Sequence, residues 1–131
     1  GYVDAGFRAP VDGGGREIPG AVARTATAGA IVRLADGLTA SMRVRYLGPA
    51  PLVEDRSVRS RPSTLVNAGL DYRRGPLGLR LDAFNLFDSS ANDIAYYYAS
   101  RLAGEPEEGV EDIHLHPLEP RSLRASLSWH W

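Results

Sequence analysis

The sequence predicts an all-β fold: an antiparallel up-and-down meander of about six strands, an incomplete segment of a transmembrane β-barrel. Three observations carry that prediction. Several segments alternate apolar and polar residues without a break, the period of a strand with two unlike faces. Short, glycine-containing connections alternate with long ones rich in proline, glycine and charge, as in a barrel with tight turns at one end and extended loops at the other. The last segment, RSLRASLSWHW, ends on tryptophans, which suit a membrane interface.

Residues 2–9 read as the first strand, with imperfect alternation, and residues 10–20 as the first long connection. Next, Ala26, Ala28, Ala30, Val32 and Leu34 oppose Thr25, Thr27, Gly29, Ile31 and Arg33. Ala35-Asp36-Gly37 fits a three-residue hairpin loop, with Gly37 in the left-handed conformation. The return strand LTASMRVRY sets Leu38, Ala40, Met42, Val44 and Tyr46 against Thr39, Ser41, Arg43 and Arg45. Pairing Leu34 with Leu38 gives Arg43 and Arg45 the small cross-strand neighbours Gly29 and Thr27.

Residues 49–63 are the second long connection. The hairpin after it sets Val66, Ala68, Leu70 and Tyr72 against Asn67, Gly69, Asp71 and Arg73. It turns through Arg74-Gly75-Pro76-Leu77 and returns with Leu79, Leu81 and Ala83 on the apolar face and Arg80 and Asp82 on the polar one. Asp71 then stands across from Arg80, where the two can form an ion pair. Residues 89–120 form the third long connection. In the last strand, Leu123, Ala125, Leu127, Trp129 and Trp131 oppose Arg124, Ser126, Ser128 and His130. On this plan Met42, Val44, Leu70, Leu81 and Leu127 face lipid, while Arg43, Arg45, Asp71 and Arg80 face the lumen.

Composition narrows the function classes. A formal net charge of −1 over 131 residues argues against a dedicated nucleic-acid binder. With no cysteine, neither a disulfide framework nor a thiolate metal site is available. Nucleophile-elbow, P-loop and zinc-protease motifs are missing from the sequence, so no enzyme is expected. No signal-peptide pattern opens the chain, so a barrel reading implies a carboxy-terminal piece of something longer.

Candidate contacts lie in the third long connection. Tyr96, Tyr97 and Tyr98 could present amphipathic rings to a small-molecule ligand, and Arg101 could attract an anionic chelate or carboxylate. His114 and His116 project to one side of an extended segment, but two histidines do not close a metal site. No metal and no cofactor are expected.

Three local sequences in order, Asn85-Leu86-Phe87-Asp88, Tyr96-Tyr97-Tyr98-Ala99-Ser100-Arg101-Leu102 and His116-Pro117-Leu118-Glu119-Pro120-Arg121, precede a short alternating strand with a terminal aromatic. Together they resemble the carboxy-terminal end of TonB-dependent outer-membrane receptors. Ile18-Pro19-Gly20 is similar to the IPG or IPN element of the same family. The resemblance covers essentially the whole chain. It implies a bacterial outer-membrane barrel of about 22 strands, closed by an amino-terminal plug domain that this chain lacks. The implied activity is energy-dependent uptake of a scarce nutrient such as a ferric siderophore, cobalamin, haem or a saccharide. Implied partners are outer-membrane lipid, the rest of the barrel and its plug, the TonB energising complex through the missing amino-terminal part, and the barrel insertion machinery. Leu127, Trp129 and Trp131 fit the terminal pattern that this machinery reads. The rival expectations are a soluble all-β sandwich acting as a binding module and a small lipocalin-like barrel.

Overall fold

Seven strands form in the computed structural model, which describes residues 1–10 and 14–131. They are β1 (Thr25–Ala35), β2 (Leu38–Leu47), β3 (Ser63–Arg74), β4 (Leu77–Phe84), β5 (Asn92–Ser100), β6 (Val110–Pro117) and β7 (Ser122–Trp129). No helix occurs among the described residues. Five strands make one sheet in the order β1-β2-β3-β4-β7, and β5 and β6 pair separately. The chain divides into two units: Gly1–Thr25, Leu47–Ser63 and Ala91–Leu118 form one, and Ala26–Tyr46, Thr64–Ser90 and Glu119–Trp131 the other.

The five-stranded sheet follows from the alternation. Across β3, β4 and β7 the register stacks Leu70, Leu81 and Ala125 in one row, Tyr72, Leu79 and Leu127 in the next, and Ala68, Ala83 and Leu123 in a third. The interleaved rows are Asp71, Arg80 and Ser126, then Gly69, Asp82 and Arg124. One face is therefore apolar and the other polar. The apolar face has no cover: Leu81 is 46% exposed, Leu123 70% and Leu127 72%.

Both tight turns are shorter than the spacing suggested. The β3–β4 strands close at Arg74 opposite Leu77, leaving Gly75-Pro76 as the loop, with Gly75 at φ 56°, the II′ type that matches strand twist. The register is nevertheless the expected one, with Asp71 opposite Arg80. Between β1 and β2 the connection is Asp36-Gly37, and Gly37 has φ 74°. A side chain there would collide with the Arg73 carbonyl, and the Arg73 amide donates to the Gly37 carbonyl at 2.8 Å. This seats the first turn on the end of β3.

Residues 2–9 do not form the expected first strand. They touch the segment before β1 only through isolated bridges, Tyr2 with Arg24 and Gly6 with Glu17, too few to define a ladder, so β1 is the edge of the sheet. Residues 11–13 of the first long connection lie outside the described residues. Ile18-Pro19-Gly20 is a turn, its Ala21 amide donating to Ile18 O at 3.0 Å. The third long connection contains strands of its own, β5 and β6. Its alternation was hidden because Tyr96, Tyr97 and Tyr98 run consecutively.

Asn85-Leu86-Phe87-Asp88 is not part of a strand, since β4 ends at Phe84. Asn85 takes a left-handed conformation, φ 47°, and is only 4% exposed. Its side-chain oxygen accepts from the Ser89 amide at 2.8 Å, and its amide nitrogen donates to the carbonyls of Ser89 and Glu119, each at 3.1 Å. The Asn85 amide donates to Asn67 Oδ1 at 3.0 Å, and the Arg121 amide donates to Asp88 Oδ1 at 2.9 Å. These bonds clasp β3, the end of β4 and the entry to β7. Asn85→Ala should cost about 2–4 kcal/mol, the sum of three lost hydrogen bonds, plus roughly 1 kcal/mol of backbone strain. Asn85→Gly should recover only the strain. Denaturant unfolding in detergent gives the order Asn, Gly, Ala; full stability in the glycine variant would contradict the clasp.

Candidate functional site

In the β5–β6 hairpin the register sets Ile94 opposite His116, Tyr96 opposite His114 and Tyr98 opposite Asp112 on one face. Tyr97 falls on the other face, opposite Ile113. The three tyrosines therefore do not form one surface. Tyr96 and Tyr98 are exposed, and the His114 ring stacks on Tyr98 with centroids 3.8 Å apart and planes 14° from parallel. His114 Nε2 also lies 3.3 Å from the Tyr98 carbonyl. His116 shares that face and is exposed. No group of three or more metal-binding side chains occurs among the described residues.

Arg101 is committed to the turn that follows β5. Its Nε donates to the Glu105 carbonyl at 3.2 Å, while Glu105 Oε2 accepts from the Leu102 amide at 2.6 Å. This occupies one of the guanidinium's five N–H donors. Tyr97 OH donates to Glu111 Oε2 at 3.1 Å. That hydrogen bond raises the Tyr97 pKa above the usual tyrosine value, with burial and the charges of Glu111 and Asp112 adding to the effect.

The polar face of β2, β3 and β4 lines a concavity of about 920 Å³. Arg43, Asp71 and Arg80 of the expected interior set lie on it, with Arg73 and Asp82 beside them. Arg45 is exposed one alternation further along β2. The cross-strand ion pair between Asp71 and Arg80 does not form. Arg73 Nε instead reaches Asp71 Oδ1 at 3.0 Å within β3, and Arg80 binds Asp82 within β4 through Nε at 3.1 and 2.9 Å and through a terminal nitrogen at 3.0 Å. Residues two apart share a strand face, so both pairs stay on the polar side. Arg124 lies over the Phe84 ring, 5.3 Å from its centroid.

A smaller cavity of about 170 Å³ lies in the other unit, lined by Val22, Ala50, Leu52, Ser63 and Asp93 among others. Leu127, Trp129 and Trp131 are all exposed. Trp129 pairs with Leu77, and the His130 amide donates to Pro76 O at 2.9 Å, so the tryptophans lie at the tight-turn end.

The chain matches no family model, no curated protein and no solved structure.

Alternation places Asn67, Gly69 and Ser41 on the polar face but does not show that Asn67 accepts from the Asn85 amide. The signal that could have flagged Asn85 was its type, since asparagine is the non-glycine residue most at ease in a left-handed turn. Replacing Glu111 with glutamine should return the Tyr97 titration toward that of an ordinary tyrosine. Removing the carboxylate withdraws the negative charge that opposes ionisation and leaves a weaker, neutral acceptor in its place. Carbon NMR of the tyrosine ring carbons across alkaline pH reads this; an unchanged Tyr97 midpoint would reject the assignment.

Proposed function

We propose that the chain is the carboxy-terminal barrel segment of a TonB-dependent outer-membrane receptor, working in energy-dependent import of a scarce nutrient such as a ferric siderophore. The observation that carries the reading is the pair of unlike faces on β3, β4 and β7. Leucine, alanine and tyrosine rows are bare on one side, and charged and hydroxyl rows line a concavity on the other. A soluble sandwich would cover such an apolar face with a second sheet, and the unit that holds these strands contains one sheet only among the described residues.

Lipid is the solvent in which uncovered leucines cost nothing. The sheet edges β1 and β7 would continue into neighbouring strands of the receptor, because unpaired edges are not tolerated in a bilayer. Placed so, the tight turns and Trp129 mark the periplasmic rim. The plug, the TonB energising complex, the insertion machinery and the ligand are the partners this reading calls for.

Leu81→Arg should destabilise the membrane-inserted protein by about 2–4 kcal/mol, while the same change at Ser41 on the lumen side should be mild. Denaturant titration in lipid bilayers measures both, and equal costs would reject the lipid-facing assignment. Single cysteines at Met42 and Arg43 test the same alternation by labelling. An aqueous thiol reagent should modify position 43 and spare position 42 in the intact receptor; equal labelling of the two would count against a membrane wall.

A further inference from the structure

The cavity of about 170 Å³ is walled by separate stretches of chain: Val22 precedes β1, Leu52 and Arg61 lie between β2 and β3, Ser63 opens β3, and Asp93 and Ile94 belong to β5. Backbone bonds hold these walls. The Gly20 amide donates to Pro51 O, the Leu52 amide to Val58 O and the Ser60 amide to Ala50 O, each at 2.8 Å, and the Ala50 amide donates to Ser60 Oγ at 2.9 Å. Ala50 and Leu52 are buried, so part of the lining is apolar and shielded from water. Polar groups that face the same space are left unused by the fold. Ser63 is only 8% exposed, yet its hydroxyl makes no hydrogen bond to a described residue and stays open to the cavity. Arg61 and Asp93 also line it, and neither forms an ion pair with the other or with any described residue.

We infer that this cavity binds a free α-amino acid with an aliphatic side chain. The inference goes beyond the receptor proposal and stands on this unit alone. Opposite charges that share a small cavity without touching are both neutralised only by a molecule that carries both signs. The carboxylate of an amino acid accepts from Arg61 and from the Ser63 hydroxyl, its ammonium donates to Asp93, and its side chain lies against Val22, Leu52 and Ile94. A simple anion would set its charge beside Asp93, and a simple amine would set its charge beside Arg61. A neutral apolar molecule would leave both charges and the serine unmet. Size agrees with the class. An apolar cavity of about 150 Å³ holds benzene, so this one suits a molecule of about six to ten heavy atoms, a range that includes valine and leucine.

Calorimetric titration of the full chain in detergent tests this with L-leucine and two analogues: isocaproate, which lacks the ammonium, and isoamylamine, which lacks the carboxylate. L-leucine should bind saturably, and each single-charge analogue about tenfold more weakly, the loss of one charge-assisted contact. The variants should cross. Asp93→Asn should weaken L-leucine about tenfold without weakening isocaproate, and Arg61→Gln should weaken L-leucine about tenfold without weakening isoamylamine. Ser63→Ala, which adds no bulk, should also weaken L-leucine, whereas Arg43→Gln, in the other unit, should leave its affinity unchanged. Arg61 and Asp93 are exposed and hold no ion pair among the described residues, so their variants should keep the parent fold, which circular dichroism checks. Absence of L-leucine binding, equal affinity for L-leucine and either analogue, or wild-type affinity in Asp93→Asn or in Arg61→Gln would each overturn the site. Lipid insertion is measured apart from this titration, so the receptor reading and the amino-acid site can fail independently.

Discussion

Strand alternation with no second layer among the described residues of its unit governs the five-stranded sheet. A sheet normally hides one face against a helix or another sheet, and the free energy of burial then fixes its register. Here the register is held by backbone ladders, tight turns and polar contacts along the rim, because the apolar face of β3, β4 and β7 packs on nothing within its unit. Among the described residues no large side chain is fully buried, and the buried apolar residues are Ala50, Leu52 and Ala91. Side chains that would form a core elsewhere are turned outward, and those that would meet water line the concave side.

That arrangement shifts the work of specification to small groups. Gly37 admits the Arg73 carbonyl and ties the first hairpin to the second. Asn85 and Asp88, both at positive φ, convert the end of β4 into a junction that also receives Arg121. The Arg80–Asp82 and Arg73–Asp71 pairs lie along their strands rather than across them. They stiffen the polar face without linking its strands. Exposed pairs of this kind add little stability, so their main effect is to fix where donors and acceptors point.

The strands were legible wherever alternation was clean. Leu70 opposite Leu81 and Asp71 opposite Arg80 could be read directly, because a loop of two or of four residues leaves that pairing the same. The β5–β6 hairpin was not legible, since consecutive tyrosines mask a period of two and the segment has apolar residues on both faces. Residues 2–9 failed for the opposite reason: their composition allows a strand, but pairing depends on a neighbour that local pattern does not reveal. At the candidate site, the arginines and Asp71 could be assigned to a face from spacing. The Asn85 clasp and the convergence of Ser41 and Asp82 over Gly69 depend on atoms brought together across strands, which no local spacing encodes.

The long excursion between β4 and β7 leaves and returns through one place. The Leu118 amide donates to the Ala91 carbonyl at 2.9 Å, and Asn92 pairs with Pro117. Once that local hairpin has formed, the free chain joining β4 to β7 is reduced to residues 85–91 and 118–121. The entropic cost of closing a loop is set by its free length, so β7 adds to the sheet at a lower closure cost than an unstructured connection of the same span would carry. A segment that enters and leaves at one doorway can also change in length or sequence without altering the pairing of the strands on either side of it in the chain.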